Sequence, residues 1–132
     1  MNMLKSDRMK VLIVESKEEL GAVWERHLVR HGMEVSRASG QKSATDFLSS
    51  HKVDIIILDL VIDEGAALAV SDYANYRQPD ARVIFVTNTS FFSDGSIFAH
   101  CANARAFVQS STPPEDIAAM VEHYGAENLR PA

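Results

Sequence analysis

The chain has 132 residues, of which 46% are hydrophobic and 23% charged, and its formal net charge is −5. These values predict one soluble globular domain that buries its core without disulfide bonds or structural metals. The acidic balance, without any basic stripe, argues against nucleic acid as a partner, and the single cysteine fits a reducing cytoplasm.

The beginning of the chain is polar, and its first apolar run covers only residues 11–14. Such a run is too short for the core of a signal peptide or for a membrane span. We therefore expect a cytoplasmic protein without membrane contact. The pattern predicts one domain over residues 9–126, flanked by loose termini at 1–8 and 127–132.

Short apolar runs, typical of buried strands, alternate with segments of helical length along the chain. The predicted strands cover residues 10–14, 33–36, 53–58, 82–86 and 105–108. The predicted helices lie within residues 16–31, 44–48, 65–78, 93–101 and 113–124. Five strand–helix units in succession predict a parallel sheet with helices on both faces, joined by right-handed crossovers.

Two helix starts resemble capping boxes, in which a hydroxyl at the N-cap is followed three residues later by a glutamate. Ser16 with Glu19 forms the first pair, and Thr112 with Glu115 forms the second. The second pair also places Pro113 at the first helical position, where a missing N–H costs nothing. The sequence therefore predicts Ser16 and Thr112 as N-caps.

Polar side chains follow several of the predicted strands at their carboxyl ends. Glu15 follows the first strand, Asp59 the third, Thr87 the fourth and Ser110 the fifth. In a parallel sheet these ends meet at one edge, where open α/β sheets bind their ligands. We expect these groups to converge there, with the acidic pair at 63–64 adding negative charge to the rim.

From Met9 to about Tyr124 the chain resembles a response-regulator receiver domain of two-component signalling. The resemblance depends on an ordered set of motifs, VLIVES at 11–16, IILDL at 56–60, VIFVT at 83–87 and NARAFVQS at 103–110. Their spacing matches that of the family. The resemblance implies a flavodoxin-like three-layer sandwich whose five-stranded parallel sheet has the order 2-1-3-4-5.

The resemblance also implies roles for individual residues. Asp59 would be the phospho-acceptor, Thr87 the switch hydroxyl and Phe107 the switch aromatic, which swings inward when the phosphoryl group attracts the threonine. The competing interpretations are a strand-end hydroxyl for Thr87 and core packing for Phe107.

A divalent cation, Mg²⁺, would accompany phosphorylation in such a domain. Its ligands would be Glu15, Asp59 and the backbone carbonyl of Val61, with the Ser16 hydroxyl as a further and poorer ligand. Mg²⁺ prefers oxygen ligands and is often held by one or two carboxylates plus waters, so this donor set is chemically adequate.

The chain departs from the family pattern in this same region. Ser16 stands where the family has its second acidic residue, Ser110 where it has a lysine, and Ser111 where a proline follows. The loop after Asp59 lacks the usual Pro-Gly turn and is shorter. We expect these changes to weaken phosphorylation without abolishing it.

Two functions remain open from the sequence. The first is a non-enzymatic, single-domain receiver, phosphorylated by a histidine kinase or a phosphotransfer protein, that signals to a downstream protein target through altered contacts. The second is a pseudo-receiver, a protein-interaction module independent of phosphate. A flavin protein or enzyme would need a glycine- and hydroxyl-rich phosphate loop after the first strand, whereas this chain has carboxylates there.

The predicted helix at 93–101 is rich in apolar residues near its start, namely Phe91, Phe92, Ile97 and Phe98. Such a surface is a candidate for a homodimer contact or for another protein partner. Internal packing is the competing interpretation.

Overall fold

Parallel strands and helices alternate along the chain in the computed structural model, which describes residues 8–88 and 102–126. The strands are β1 (Lys10–Val14), β2 (Glu34–Ala38), β3 (Ile55–Asp59), β4 (Arg82–Thr87) and β5 (Ala104–Gln109). The helices in this part of the chain are α1 (Glu18–Arg30), α2 (Gln41–Ser50), α3 (Ala67–Arg77) and α4 (Pro114–Gly125). None of these helices is long and apolar enough to cross a membrane.

The strands form one parallel sheet in the order β2-β1-β3-β4-β5, which confirms the predicted topology. The β-branched run of β3 is buried along its whole length, as expected for a central strand covered on both faces. In the register, Val14 pairs with Leu58 and Asp59 pairs with Val86. The ends of β1, β3 and β4 are therefore neighbours at the carboxyl edge.

Each face of the sheet carries its own hydrophobic cluster, because alternate strand residues point to opposite sides. On one face α2 and α3 pack through Ala44, Leu48, Val70 and Ala74 against residues such as Ile56, Leu58 and Phe85. On the other face α1 and α4 pack through Trp24, Leu28, Ile117 and Val121 against Ile13, Ile57 and Ile84. The three-layer arrangement follows from this division.

The predicted capping boxes are wrong. Helix α1 begins at Glu18 after Lys17, and α4 begins at Pro114 after Pro113, and neither helix has a side-chain cap. Both start later than the motifs suggested, so neither Ser16 nor Thr112 lies at the N-cap. The predicted helix at 93–101 lies outside the described residues, as do both termini except Arg8.

Candidate functional site

The carboxyl edge of the sheet brings Glu15, Asp59 and Thr87 together, as the sequence predicted. Their exposed fractions are 6%, 8% and 0%. Val14 is paired with Leu58. The residues that come directly after them, Glu15 and Asp59, are therefore neighbours. Two carboxyl groups are therefore buried side by side at the point where a doubly wound sheet binds ligands.

Each of these carboxylates accepts one backbone hydrogen bond. Oε2 of Glu15 accepts from the Lys17 amide at 2.9 Å, and Oδ1 of Asp59 accepts from the Val61 amide at 2.8 Å. Oε1 of Glu15 is buried without a partner, the one such side-chain atom within residues 8–88 and 102–126. A buried unsatisfied oxygen costs free energy, so it marks a place where a ligand or a proton would be stabilising.

The electrostatics of the pair follow from its burial. Desolvation, a hydrogen bond to Asp59 and the charge of Asp59 together raise the pKa of Glu15 from 4.5 to about 8, partly offset by the Lys17 amide. That bond to Asp59 needs a shared proton, because two deprotonated carboxylates are both acceptors. When both are ionised, Oε1 has no donor and the two charges repel.

The donor set of the pair suits Mg²⁺. The buried Oε1 atom and the neighbouring Asp59 carboxylate offer hard oxygen ligands, and Mg²⁺ commonly uses one or two carboxylates with waters completing its octahedron. Within the described residues no cluster of three or more histidine, cysteine or acidic side chains could enclose a metal. Two carboxylates leave most of the octahedron to water, so a largely hydrated ion suits this donor set.

Ser16 has a different local role from the predicted N-cap. Its hydroxyl donates to the Ser39 carbonyl at 2.7 Å and accepts from the Asp63 amide at 2.8 Å. It thereby joins the loop after β1 to the loops after β2 and β3. Sequence patterns could not reveal this bridge, because its partners are backbone groups in two distant loops.

The candidate switch residues lie on one face of the sheet. Thr87 alternates with Phe85 along β4, and Phe85 is paired in register with Phe107 of β5. Phe107 is partly buried and packs against the core cluster beneath α2 and α3. The Thr87 carbonyl accepts from the Ser110 amide at 2.7 Å, so Ser110 lies at the same edge, to which it brings no positive charge.

The acidic pair at 63–64 also forms hydrogen bonds with neighbouring segments. The Glu64 carboxylate accepts from the Lys42 amide at 3.0 Å, at the beginning of α2. Gln41, which the sequence reasoning missed, accepts from the Ala66 amide at 2.8 Å. One sequence signal could have pointed to this contact. The N-cap residue of α2 is Gly40, which has no side chain, so the helix needs acceptors from elsewhere in the chain.

Known proteins share both the sequence family and the fold. The response regulator receiver domain model matches residues 11–122. No curated protein sequence matches the chain significantly.

Solved structures with 18–21% sequence identity superpose closely on this chain. A CheY-like receiver domain protein from Methanospirillum hungatei JF-1 has a TM-score of 0.84 and 18% identity, covering 93% of this chain and 98% of its own. The signal receiver domain of a putative Luxo repressor from Vibrio parahaemolyticus has a TM-score of 0.81 and 20% identity, with coverages of 92% and 93%. A response regulator from Burkholderia pseudomallei, with a phosphorylated aspartic acid, a calcium ion and citrate, has a TM-score of 0.74 and 21% identity, with coverages of 92% and 75%.

Proposed function

Because this chain belongs to the response regulator receiver domain family, we propose that it accepts a phosphoryl group on Asp59 in a two-component phosphorelay. Receiver domains are typically non-catalytic signalling modules that work with a cognate kinase. The donor here would be the phosphohistidine of a histidine kinase or a phosphotransfer protein. The P–N bond of the donor breaks as a P–O bond to the Asp59 carboxylate forms.

The observation that carries the proposal is the buried pair of Glu15 and Asp59 at the carboxyl edge. The Val61 amide holds Oδ1 of Asp59 at 2.8 Å, which orients the carboxylate and leaves Oδ2 as the candidate nucleophile. Because Oε1 of Glu15 is buried without a partner, a bound cation at this site would be stabilising. The Burkholderia pseudomallei structure, with its phosphorylated aspartic acid and calcium ion, offers support from a protein of the same fold.

Receiver domains generally bind Mg²⁺, and the ligands proposed here are Glu15, Asp59 and the Val61 carbonyl, with Ser16 as a weaker addition. The bound ion would offset the repulsion between the attacking carboxylate and the phosphoryl oxygens. The Ser16 hydroxyl already serves two backbone groups, which makes it a poorer donor to metal. Glu15 and Asp59 are therefore the main ligands in this proposal.

Ser110 is expected to slow phosphorylation. A lysine at this position, as in the family, would pair with the phosphoryl oxygens, and a hydrogen bond to a charged group contributes about 1.5–3 kcal/mol. Its loss corresponds to roughly one to two decades in rate or affinity. We therefore expect slow labelling that increases at high donor concentration.

The output of phosphorylation would pass through Thr87 and Phe107 to the surface around β4 and β5. Both lie on the same face of the sheet, and Phe107 is only partly buried. A phosphoryl group attracting the Thr87 hydroxyl would bias this local two-state equilibrium. The receptor of the signal would be a downstream protein in the cytoplasm, or a second copy of the chain.

A phosphate-independent interaction module is the second candidate function. It is favoured by Ser16 and Ser110, neither of which supplies the charge that the family uses. In this alternative, Glu15 would keep its proton, and partner binding would be insensitive to the state of Asp59.

The deciding experiment is intact-mass analysis after incubation with acetyl phosphate and Mg²⁺. The expected result is one phosphoryl adduct on the wild type and none on Asp59→Asn, because only a carboxylate can form the acyl phosphate. A Ser110→Lys variant should label faster, by roughly one to two decades.

An unmodified wild type would contradict the proposal, provided that Ser110→Lys also remains unlabelled and a competent receiver labels in parallel. Equal labelling of wild type and Asp59→Asn would place the acceptor elsewhere. Only the absence of labelling would leave the interaction module as the better description.

A further inference from the structure

The loop between β3 and α3 is hydrogen-bonded to the beginning of α2. The Gln41 amide donates to the Glu64 carbonyl at 3.0 Å, and the Lys42 amide donates to Oε1 of Glu64 at 3.0 Å. In the opposite direction, the Ala66 amide donates to Oε1 of Gln41 at 2.8 Å. The segment that follows Asp59 is thus joined to a neighbouring helix by reciprocal bonds.

These bonds replace the ordinary cap of α2. The N-cap residue is Gly40, which has no side chain, and the first amides of a helix need external acceptors. Glu64 supplies both a carbonyl and a carboxylate, and a negative charge is favourable at a helix N-terminus. The cap of α2 therefore comes from the acceptor loop, so neither can move without breaking the other's contacts.

Two glycines indicate how closely these segments approach. A Cβ atom added at Gly40 would lie 3.1 Å from the Glu64 carbonyl oxygen. Gly65 has a φ of 83°, and a Cβ atom added there would overlap the Gln41 side chain. The backbone of the loop thus fits against α2 without space for larger residues.

Ser16 holds the same loop through further hydrogen bonds, made from the segment after β1. Its hydroxyl joins the Asp63 amide to the Ser39 carbonyl. An acidic side chain at this position could accept from Asp63 but could not donate to Ser39 when ionised. The serine is therefore suited to a bridge that the family's acidic residue could not make in full.

We propose that Ser16, Gln41 and Glu64 are positioning residues, which hold the loop at 60–66 so that the Val61 amide stays on Asp59 before any ligand binds. The inference rests on the proposed function and deepens it. Fixing a loop in its bound conformation lowers the entropic cost of binding. In this chain, preorganisation of the loop offsets part of the affinity lost with the second acidic ligand.

The test compares Ser16→Ala and Gln41→Ala with the wild-type full chain. Amide hydrogen exchange by NMR at Val61, Asp63 and Ala66 reports the loop directly, without any metal. Titration calorimetry with Mg²⁺ reports the site. We expect faster exchange at Val61 and Mg²⁺ binding that is weaker by roughly 2- to 10-fold, the range for one lost hydrogen bond.

Three further variants separate positioning from general stability. Ser43→Ala is the matched control, because the Ser43 hydroxyl bonds the Gly40 and Ser39 amides and not the loop. It should leave Mg²⁺ affinity unchanged even if the helix is destabilised. Ser16→Thr keeps the hydroxyl and Glu64→Gln keeps the acceptor, so both should preserve the slow amide exchange at Val61.

The outcomes are distinguishable. Unchanged exchange at Val61, or unchanged Mg²⁺ affinity despite faster exchange, would overturn the positioning role while the proposed function stands. An equal loss of affinity in Ser43→Ala would also overturn it, because stability alone would then explain the effect. A wild type that binds no Mg²⁺ and accepts no phosphoryl group would overturn the proposed function itself, and the inference with it.

Discussion

Glu15 combines deep burial, one backbone donor and an oxygen without a partner. Its pKa is raised from 4.5 to about 8, chiefly by desolvation. Between these two pH values the folded protein binds more protons than the unfolded chain. The free energy of unfolding must therefore fall as the pH rises through this window, and it levels off above about pH 8.

We predict that Glu15→Gln removes most of this pH dependence, because glutamine is neutral at every pH. Urea unfolding of both proteins from about pH 5 to about pH 8, without divalent ions, is the measurement. Mg²⁺ should reduce the wild-type slope, since the cation competes with the proton for the same oxygen. Parallel pH curves for the two proteins would show that Glu15 does not titrate in this range.

At the scale of elements, the Gln78 side chain joins three backbone groups at the amino edge of the sheet. Gln78, just after α3, accepts from the Val53 amide at 2.9 Å and donates to the carbonyls of Leu48 and His51 at 2.9 and 2.7 Å. It therefore joins the end of α2 to the beginning of β3. These groups line an open cavity of about 430 Å³ at the edge opposite the carboxylate pair.

We predict that Gln78→Ala lowers the free energy of unfolding by about 1–3 kcal/mol, since it leaves backbone groups unsatisfied. Phosphoryl labelling of Asp59 should be unaffected, because the lost bonds lie at the far edge of the sheet. Urea unfolding and intact-mass labelling of the same variant measure the two effects. A variant that unfolds normally but labels slowly would indicate coupling between the two edges.

Sequence patterns predicted the helices and strands best where the residues are buried. Strand β1 was predicted residue for residue. Strand β2 begins one residue after its predicted start and extends two residues past its predicted end, because the charged Arg37 interrupts the apolar pattern. Burial patterns carry no information on such edge positions.

The candidate site was predictable only in part. The carboxyl-edge rule placed Glu15, Asp59 and Thr87 correctly, since strand ends in a parallel sheet meet there. The ties made by Ser16, Gln41 and Glu64 were not predictable, because backbone atoms supply most of their partners. The hydrogen bonds of Ser16 and Glu64 depend on loop conformation, which no periodic pattern encodes.

At the scale of the molecule, the two edges of the sheet differ in how well their polar groups are satisfied. At the amino edge, buried Asp54 accepts from the Lys10 amide and buried Asn103 bonds Ser71. At the carboxyl edge, Oε1 of Glu15 lacks a partner. Natural proteins tend to break local rules at functional sites, so this difference supports locating function at the carboxyl edge.

A ligand that satisfies this oxygen should stabilise the whole fold, because the unfolded chain has no such site. At Mg²⁺ concentrations tenfold above its Kd, the free energy of unfolding should rise by about 1.4 kcal/mol. For a domain of this size that corresponds to a Tm increase of roughly 4–6 °C. The increase should continue with the logarithm of the Mg²⁺ concentration.

Thermal unfolding at matched ionic strength, with NaCl replacing MgCl₂ in the reference, isolates this effect from screening. Asp59→Asn should respond less than the wild type, because one carboxylate ligand becomes a neutral amide. Equal responses in both proteins would place the ion elsewhere on the acidic surface. A Tm that does not change with Mg²⁺ would mean that a proton, and not the metal, neutralises the carboxylate pair. That state is the one expected of the phosphate-independent module.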